Sequence, residues 1–411
     1  MTFRDLGLGQ RLCNVLDDLG YAKPTDIQSQ ALPAIVAGKD VLGVAQTGTG
    51  KTGAFCLPIL EQLISARVRA ESKQPTVLIV APTRELVSQI LEEARKFVGE
   101  ARIRCGSVTG GVSQKPQEKK LSRGVELLVA TPGRLLDLAT NGFVDLGSVA
   151  HFVLDEADQL LDMGFIRDIK RIVALLPKRR QTLLFSATMP KAVENLANQI
   201  LHRPVHIKVT PQTVTVEKIR QGFVSAQTSE KQNTLQVLLA RQDVRKAIVF
   251  TRTKHGANRV AKKLDKQGVG VEVIHGNKSQ NARNRALESF KSGEAWVLVA
   301  TDVAARGIDI QDVTHVINFD LPQEPEVYVH RIGRTARAGA EGVAWSLVDA
   351  GERGQLKAIE KLTKVRVPEV SLDAVDAPVV EHTTGTDTAS DEPTRRKRRR
   401  RRSRKPRQNA A

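Results

Sequence analysis

Ala45-Gln46-Thr47-Gly48-Thr49-Gly50-Lys51-Thr52 carries the groups needed to cradle the phosphates of a nucleotide. Glycines let successive backbone N–H groups turn inward onto phosphate oxygens, a lysine reaches the terminal phosphates, and the hydroxyl beside it can ligate Mg2+. Ala45 stands where the strict form of the pattern has Gly, a change that its broader form allows. A second group, Asp155-Glu156-Ala157-Asp158, supplies carboxylates. Asp155 can hold a metal ion through water and Glu156 can polarise an attacking water, the other half of a nucleoside triphosphatase. By itself the tetrad fits a solvated helix start as well; the phosphate loop shifts the balance to chemistry. Further on, His330-Arg331-Ile332-Gly333-Arg334-Thr335-Ala336-Arg337 spaces its arginines by three. That spacing puts guanidinium forks on one helical face or turn, able to meet a γ-phosphate, although a basic solvated helix has the same pattern.

These groups need elements to hold them. Short apolar runs, Val41–Ala45, Val77–Ala81, Leu127–Ala130, Phe152–Leu154 and Thr182–Phe185, alternate with stretches of helical periodicity. The alternation predicts βαβ units around a parallel sheet buried on both faces. The rhythm restarts at Ala247–Phe250, Val271–Ile274, Val297–Ala300, His315–Phe319 and Val343–Val348. With 411 residues, two tandem doubly wound α/β domains are expected. They are placed at 1–208 and 218–370, joined by a linker at 209–217 that is rich in Thr and Val and lacks a helical period. Pro58 is expected to kink or shorten the helix after the phosphate loop. In such sheets ligands bind beyond the carboxyl ends of the strands, which is where the polar motifs fall.

From 371 to 411 the apolar runs fade, no Phe, Trp or Tyr follows Ser371, and a disordered tail is expected. Eleven Lys or Arg lie between Arg395 and Arg407, leaving +7 of the formal net charge of +18 for the rest of the chain. A polyanionic partner fits this charge, and so does a merely solvated surface. Cys13, Cys56 and Cys105 are far apart and indicate neither a disulfide framework nor a zinc site. No secretory leader and no apolar run approaching about 18 residues is seen, so a reduced cytoplasmic protein with no membrane segment is expected.

Together the motifs resemble those of the DEAD-box RNA helicases of superfamily two, in the family's order and over Phe3 to Val370. Within the family, the compact core and basic tail resemble the bacterial RhlE group. The resemblance implies two RecA-like domains that hydrolyse ATP with Mg2+ between them and unwind RNA locally and non-processively. Gly20-Tyr21-Ala22-Lys23-Pro24-Thr25-Asp26-Ile27-Gln28 is similar to the adenine-recognition motif, with Asp26 where the family usually has Pro. Gln28 would pair with the adenine edge, Phe3 would stack on its ring, and Tyr21 and Lys23 would line the site. Ser186 and Thr188 would couple hydrolysis to strand separation through Asp158 and His330. Arg334 and Arg337 would act as arginine fingers, Arg331 as an interdomain tie, and Ala336 replaces a commoner Gly. Asp309, in Thr301-Asp302-Val303-Ala304-Ala305-Arg306-Gly307-Ile308-Asp309, would accept a ribose hydroxyl.

For RNA, the resemblance points to Pro82, Thr83, Arg84, Gly110, Gly111, Thr131, Gly133 and Arg134 in the first domain. In the second it points to Arg252, His275, Gly276, Gln280, Arg283 and Thr301. Backbone N–H groups, hydroxyls and guanidiniums suit phosphates and 2′-hydroxyls, so sequence-independent binding of single strands and short duplexes by a monomeric core is expected, with the tail as a further RNA tether. Aromatic residues make up 4% of the chain, too few for a broad base-stacking platform. An ATP-dependent RNA clamp that displaces proteins, and a DNA translocase of the same superfamily, are the rival readings. Ribosomal and messenger RNA both stay open as substrates.

Overall fold

The computed structural model describes residues 1–46, 48–67, 69–209, 219–302, 312–336 and 341–371. Thr47, Asp309, Arg337, the expected linker beyond Val209 and the tail beyond Ser371 lie outside the described residues.

Two parallel sheets account for the strands. The first holds β1 (Val41–Val44), β2 (Val77–Val80), β3 (Cys105–Val108), β4 (Leu127–Ala130), β5 (His151–Leu154), β6 (Gln181–Ser186) and β7 (Val205–Lys208). Their order is β3-β4-β2-β5-β6-β1-β7. The second holds β8 (Ile219–Ser225), β9 (Ala247–Phe250), β10 (Val271–Ile274), β11 (Val297–Ala300), β12 (His315–Asn318) and β13 (Gly342–Val348), in the order β10-β11-β9-β12-β13-β8. Val41 pairs with Leu183 on one side and Val205 on the other; Ala247 pairs with Val297 and His315.

Helices cover both faces, and the strand sequences show why. In β2, Val77 and Ile79 enter one apolar cluster while Leu78 and Val80 enter the other. In β9, Ala247 and Val249 face one side, Ile248 and Phe250 the opposite. A strand buried on both faces has no polar alternation, hence the unbroken apolar runs. Because the pairing is parallel, every strand of a sheet delivers its following loop to one edge.

Three strands fall outside the expected runs: β3, β7 and β8, each at an end of its sheet. Cys105-Gly-Ser-Val108, Val205-His-Ile-Lys208 and Ile219-Arg-Gln-Gly222 carry polar or small residues that an edge tolerates and a sheet centre does not. Pro58 does not shorten its helix, which runs unbroken from Lys51 to Ala66. That helix is buried along most of its length, so packing offsets the hydrogen bond that Pro58 cannot donate.

Candidate nucleotide site and nucleic-acid interface

β1 delivers Ala45 and Gln46 to the sheet edge, and the helix Lys51–Ala66 begins after Gly48 and Gly50, both with positive φ. Gly50 is required for a second reason, since a Cβ there would stand 2.7 Å from Nε2 of Gln28. Lys51 is buried, and its Nζ donates to the carbonyl of Ala45 at 2.9 Å, while Thr49 Oγ1 donates to Gln46 O at 2.7 Å. Thr52 is half-buried in the first turn. Gln28 donates to Gly50 O at 3.1 Å and accepts from the Thr25 N–H at 2.9 Å. It therefore braces the phosphate loop from the helix Asp26–Val36 and keeps one N–H and one lone pair for a ligand. Tyr21 packs edge-on against Phe97 at 5.8 Å, and Lys23 is exposed. Phe3, expected to stack on a base, is instead part of the apolar core with 6% of its surface exposed. Too little ring is left to cover a base, because Phe3, with Leu6 and Leu8, anchors the N-terminal segment to that core.

β5 ends at Leu154 and delivers the carboxylates. Asp155 is buried; burial pushes its carboxyl up, and the Lys51 charge pulls it down. Its Oδ1 accepts the Glu156 N–H at 2.9 Å. Glu156 sits at φ 51, a left-handed conformation that a non-glycine side chain rarely adopts and that clusters at functional sites. Burial raises its carboxyl to about 7, and Oε2 has no hydrogen-bond partner within the protein. An orphaned buried carboxylate oxygen beside Asp155 suits a water and a hard cation. Asp158 turns away: its Oδ2 accepts both the N–H and the hydroxyl of Thr188 at 2.8 Å. Ser186 Oγ accepts the Asp158 N–H at 3.2 Å and donates to Thr188 O at 2.7 Å. The end of β6 is thus tied to the carboxylate helix inside the first half of the chain.

The second half reaches this site. Among the charges that lower the Glu156 carboxyl is the guanidinium of Arg334, which is itself buried and donates to His330 O at 3.3 Å. Arg331 behaves differently from the expected interdomain tie. It is 2% exposed and grips Asp302 with two bonds of 2.5 and 2.8 Å, Asn318 Oδ1 at 3.0 Å and Asp320 O at 2.7 Å. All these partners lie at strand ends of the second sheet, so Arg331 anchors its own half.

Several residues expected on RNA meet one another instead. Arg84 donates to Gln280 Oε1 at 3.1 Å, Gln280 Nε2 donates to Glu85 Oε1 at 2.9 Å, and Arg283 stands 3.1 Å from the same carboxylate. Residues 84 and 85 begin the helix after β2, and residues 280 and 283 the helix Gln280–Ser292, so the cluster bridges the two sheets. Gly111 is the floor beneath Arg84, where a Cβ would fall 1.9 Å from Nη1. Arg84 also feels Arg283 and Arg134. Arg134 lies over Val112 O at 3.4 Å. Thr83 caps its helix through Leu86 N at 3.2 Å; Pro82 and Thr131 are buried, and Gly133 faces open space. In the second half Thr301 is half-buried and Gly276 exposed, whereas the His275 ring is buried. Arg252 is pinned to Glu352 at 2.6 Å, and that carboxylate also holds buried Lys231 at 2.5 Å.

The family model described as DEAD/DEAH box helicase matches residues 25–196, and that of the helicase conserved C-terminal domain matches 230–339. CshA of Bacillus cereus, a DEAD-box ATP-dependent RNA helicase, is 44% identical over 380 residues, covering 92% of this chain and 70% of the relative. CshA of Bacillus subtilis is 43% identical over 376 residues, covering 92% and 75%. This chain is a DEAD-box ATP-dependent RNA helicase.

Its fold agrees with solved members of the family. Saccharomyces cerevisiae Dbp5 bound to RNA and ADP BeF3 superposes with a TM-score of 0.82 at 33% identity, over 91% of this helicase and 97% of Dbp5. Mss116p bound to single-stranded RNA and AMP-PNP gives 0.81 at 29% identity, over 90% and 80%. Among the described residues, no helix is long and apolar enough to cross a membrane. The residue that sequence reasoning missed at the helicase cleft is Glu85. It directly follows Arg84, but an acid gives no RNA signal, and its cationic partner is 198 positions away in the chain.

Proposed function

We propose that this helicase hydrolyses ATP, with Mg2+, between its two sheets and uses their closure to grip and bend one RNA strand. The observation that carries this reading is the reach of Arg334, from the second half, into the electrostatics of Glu156 in the first. A guanidinium in that place can neutralise charge developing on a γ-phosphate, a role worth roughly 10³–10⁵ in rate where such fingers act. Lys51 exchanges the Ala45 carbonyl for phosphate oxygens. Glu156 orients the attacking water, and Arg337 is assigned as the second finger. Thr52 and Asp155 would hold Mg2+, which neutralises phosphate charge when bound; two protein oxygens with water and phosphate completing the shell suit this cation. Gln28 selects adenine, and Asp309 the ribose.

RNA and ATP each contact both halves, so each favours the closed clamp and thereby the other. The likeness of both halves at once to Dbp5 with RNA and ADP BeF3 supports a closed arrangement. The same reading takes 1–208 and 218–370 as the two domains of a cytoplasmic protein, with the arginine-rich tail as an RNA tether.

Steady-state ATPase activity tests it. RNA is expected to stimulate turnover and DNA of the same sequence is not; equal stimulation by both would favour a DNA translocase. Lys51→Ala is expected to abolish turnover, and a folded Lys51→Ala protein with near-normal activity would overturn the phosphate-loop assignment. Strand displacement, measured on a short RNA duplex, separates a helicase from a clamp.

A further inference from the structure

Beyond β12 the sheet ladder gives out. The N–H groups of Phe319 and Asp320 both donate to the carbonyl of Phe250, at 2.9 and 3.3 Å, and the chain then runs without helix or strand to the helix Pro325–Ile332. Two side chains from other strands take over. Lys231, the first residue of the helix after β8, is 1% exposed, and Glu352, in the 3₁₀ turn Ala350–Glu352 after β13, is 4% exposed. Their Nζ and Oε2 stand 2.5 Å apart. Lys231 Nζ also donates to Phe319 O at 3.0 Å, while Glu352 Oε1 accepts from the Leu321 N–H at 3.1 Å and from Nη2 of Arg252 at 2.6 Å. The carbonyl between these two ties, that of Asp320, accepts from Nη1 of Arg331 at 2.7 Å.

A buried ion pair is a poor source of stability. Desolvating the two charges offsets most of their attraction, and apolar residues of like volume often fill the same space as well. What this pair supplies is position, since it fixes one carbonyl and one N–H on either side of the carbonyl that holds Arg331. Arg331 in turn sets its neighbour: the Arg334 N–H donates to Arg331 O at 3.1 Å. From Lys231 and Glu352 through Phe319-Asp320-Leu321 and Arg331 to Arg334, every link is a hydrogen bond of 3.1 Å or less. Misplacing a reacting group by about 1 Å, even from a distant site, can cost on the order of 100-fold in rate.

We propose that Lys231 and Glu352 are positioning residues for ATP hydrolysis: they hold Phe319-Asp320-Leu321, and through it Arg331, so that Arg334 meets the nucleotide. Neither is assigned a contact with ATP or RNA. The proposal rests on the reading of Arg334 as an arginine finger and names the buried pair that stands behind it.

RNA-stimulated steady-state ATPase activity of the full chain tests it, with thermal melts beside it. Lys231→Met together with Glu352→Leu replaces the pair by apolar side chains of similar length. This double variant is expected to melt close to the wild type, to keep its KM for ATP and its nucleotide-free affinity for RNA, and to lose about 10- to 100-fold in kcat. Adding Arg334→Ala is expected to lower kcat no further than Arg334→Ala does by itself, because the pair acts through that residue. Lys231→Met leaves Glu352 its partner Arg252 and covers the case in which the double variant does not fold; it is expected to lose about tenfold in kcat and likewise to add nothing to Arg334→Ala. An unchanged kcat in whichever variant folds, or losses that multiply with that of Arg334→Ala, would overturn the proposal. Wild-type turnover in Arg334→Ala itself would instead overturn the finger assignment on which it rests.

Discussion

The guanidinium of Arg283 stands 3.1 Å from the carboxylate of Glu85, joining a helix of the second sheet to one of the first. The Glu85 side chain is 4% exposed and also accepts from Gln280. Charge-assisted hydrogen bonds are worth about 1.5–3 kcal/mol, so losing this partner costs the closed state at least about tenfold. Glu85→Ala is expected to lower RNA affinity by that factor in the presence of a non-hydrolysable ATP analogue and to leave ATP-free RNA affinity unchanged. Equal losses under both conditions would show that Glu85 is not a closure contact.

Burial, aided by Asp155 and Asp158, raises the Glu156 carboxyl to about 7 against the pull of Lys51 and Arg334. The folded value lies above the unfolded one, so the folded state binds the extra proton; the contribution to stability is full below the unfolded value and is lost as pH rises through about 7. Glu156→Gln removes that charge and keeps the shape. Thermal melts of the nucleotide-free protein are expected to show a more stable variant at pH 8, on the order of 2 kcal/mol, and little difference at pH 4.5. ATP turnover is expected to stall while ATP and RNA still bind. A variant that melts like the wild type at pH 8 would contradict the raised carboxyl.

Ala336 has φ 55, although alanine favours the right-handed region. A left-handed alanine costs roughly 1–2 kcal/mol, part of which a glycine returns as chain entropy in the unfolded state. Ala336→Gly is therefore expected to stabilise the second half by about 0.5–1 kcal/mol in denaturant titrations. A destabilised variant would mean that the turn between Arg334 and Arg337 needs the methyl group.

Eleven cations lie between Arg395 and Arg407 with no acid among them. Truncation after Ser390 is expected to weaken RNA binding most at low salt and to flatten its salt dependence, with ATPase turnover at saturating RNA nearly unchanged. Identical affinity and slope for the two proteins would leave the tail as a solvated extension.

The phosphate loop, the carboxylates after β5 and the two parallel sheets were legible because each is a local pattern: a strand, then a turn of fixed residue types. The edge strands β3, β7 and β8 were not, since half-solvated strands lose the apolar run that marks a central one. Partner choice was also hidden. Arg331 and Arg334 belong to one motif and differ by three positions, yet one grips Asp302 and the other reaches toward Glu156. Arg252 offered the sequence signature of a phosphate contact, and only the fold brings Glu352 to it. Phe3 looked free to stack because its neighbours in the core are distant in the chain.

The anchoring of Arg331 limits how Arg334 can move. Arg331 is held by Asp302 after β11 and by Asn318 and Asp320 at the end of β12, leaving only Ile332 and Gly333 between that anchorage and Arg334. On so short a leash the backbone of Arg334 moves with the second sheet. A turn of the second sheet relative to the first would therefore carry Arg334 away from Glu156 and Arg283 away from Glu85 together. On the proposed mechanism, loss of the γ-phosphate and loss of grip on the RNA would then be one mechanical event, a stroke that resets after each ATP instead of stepping along the strand.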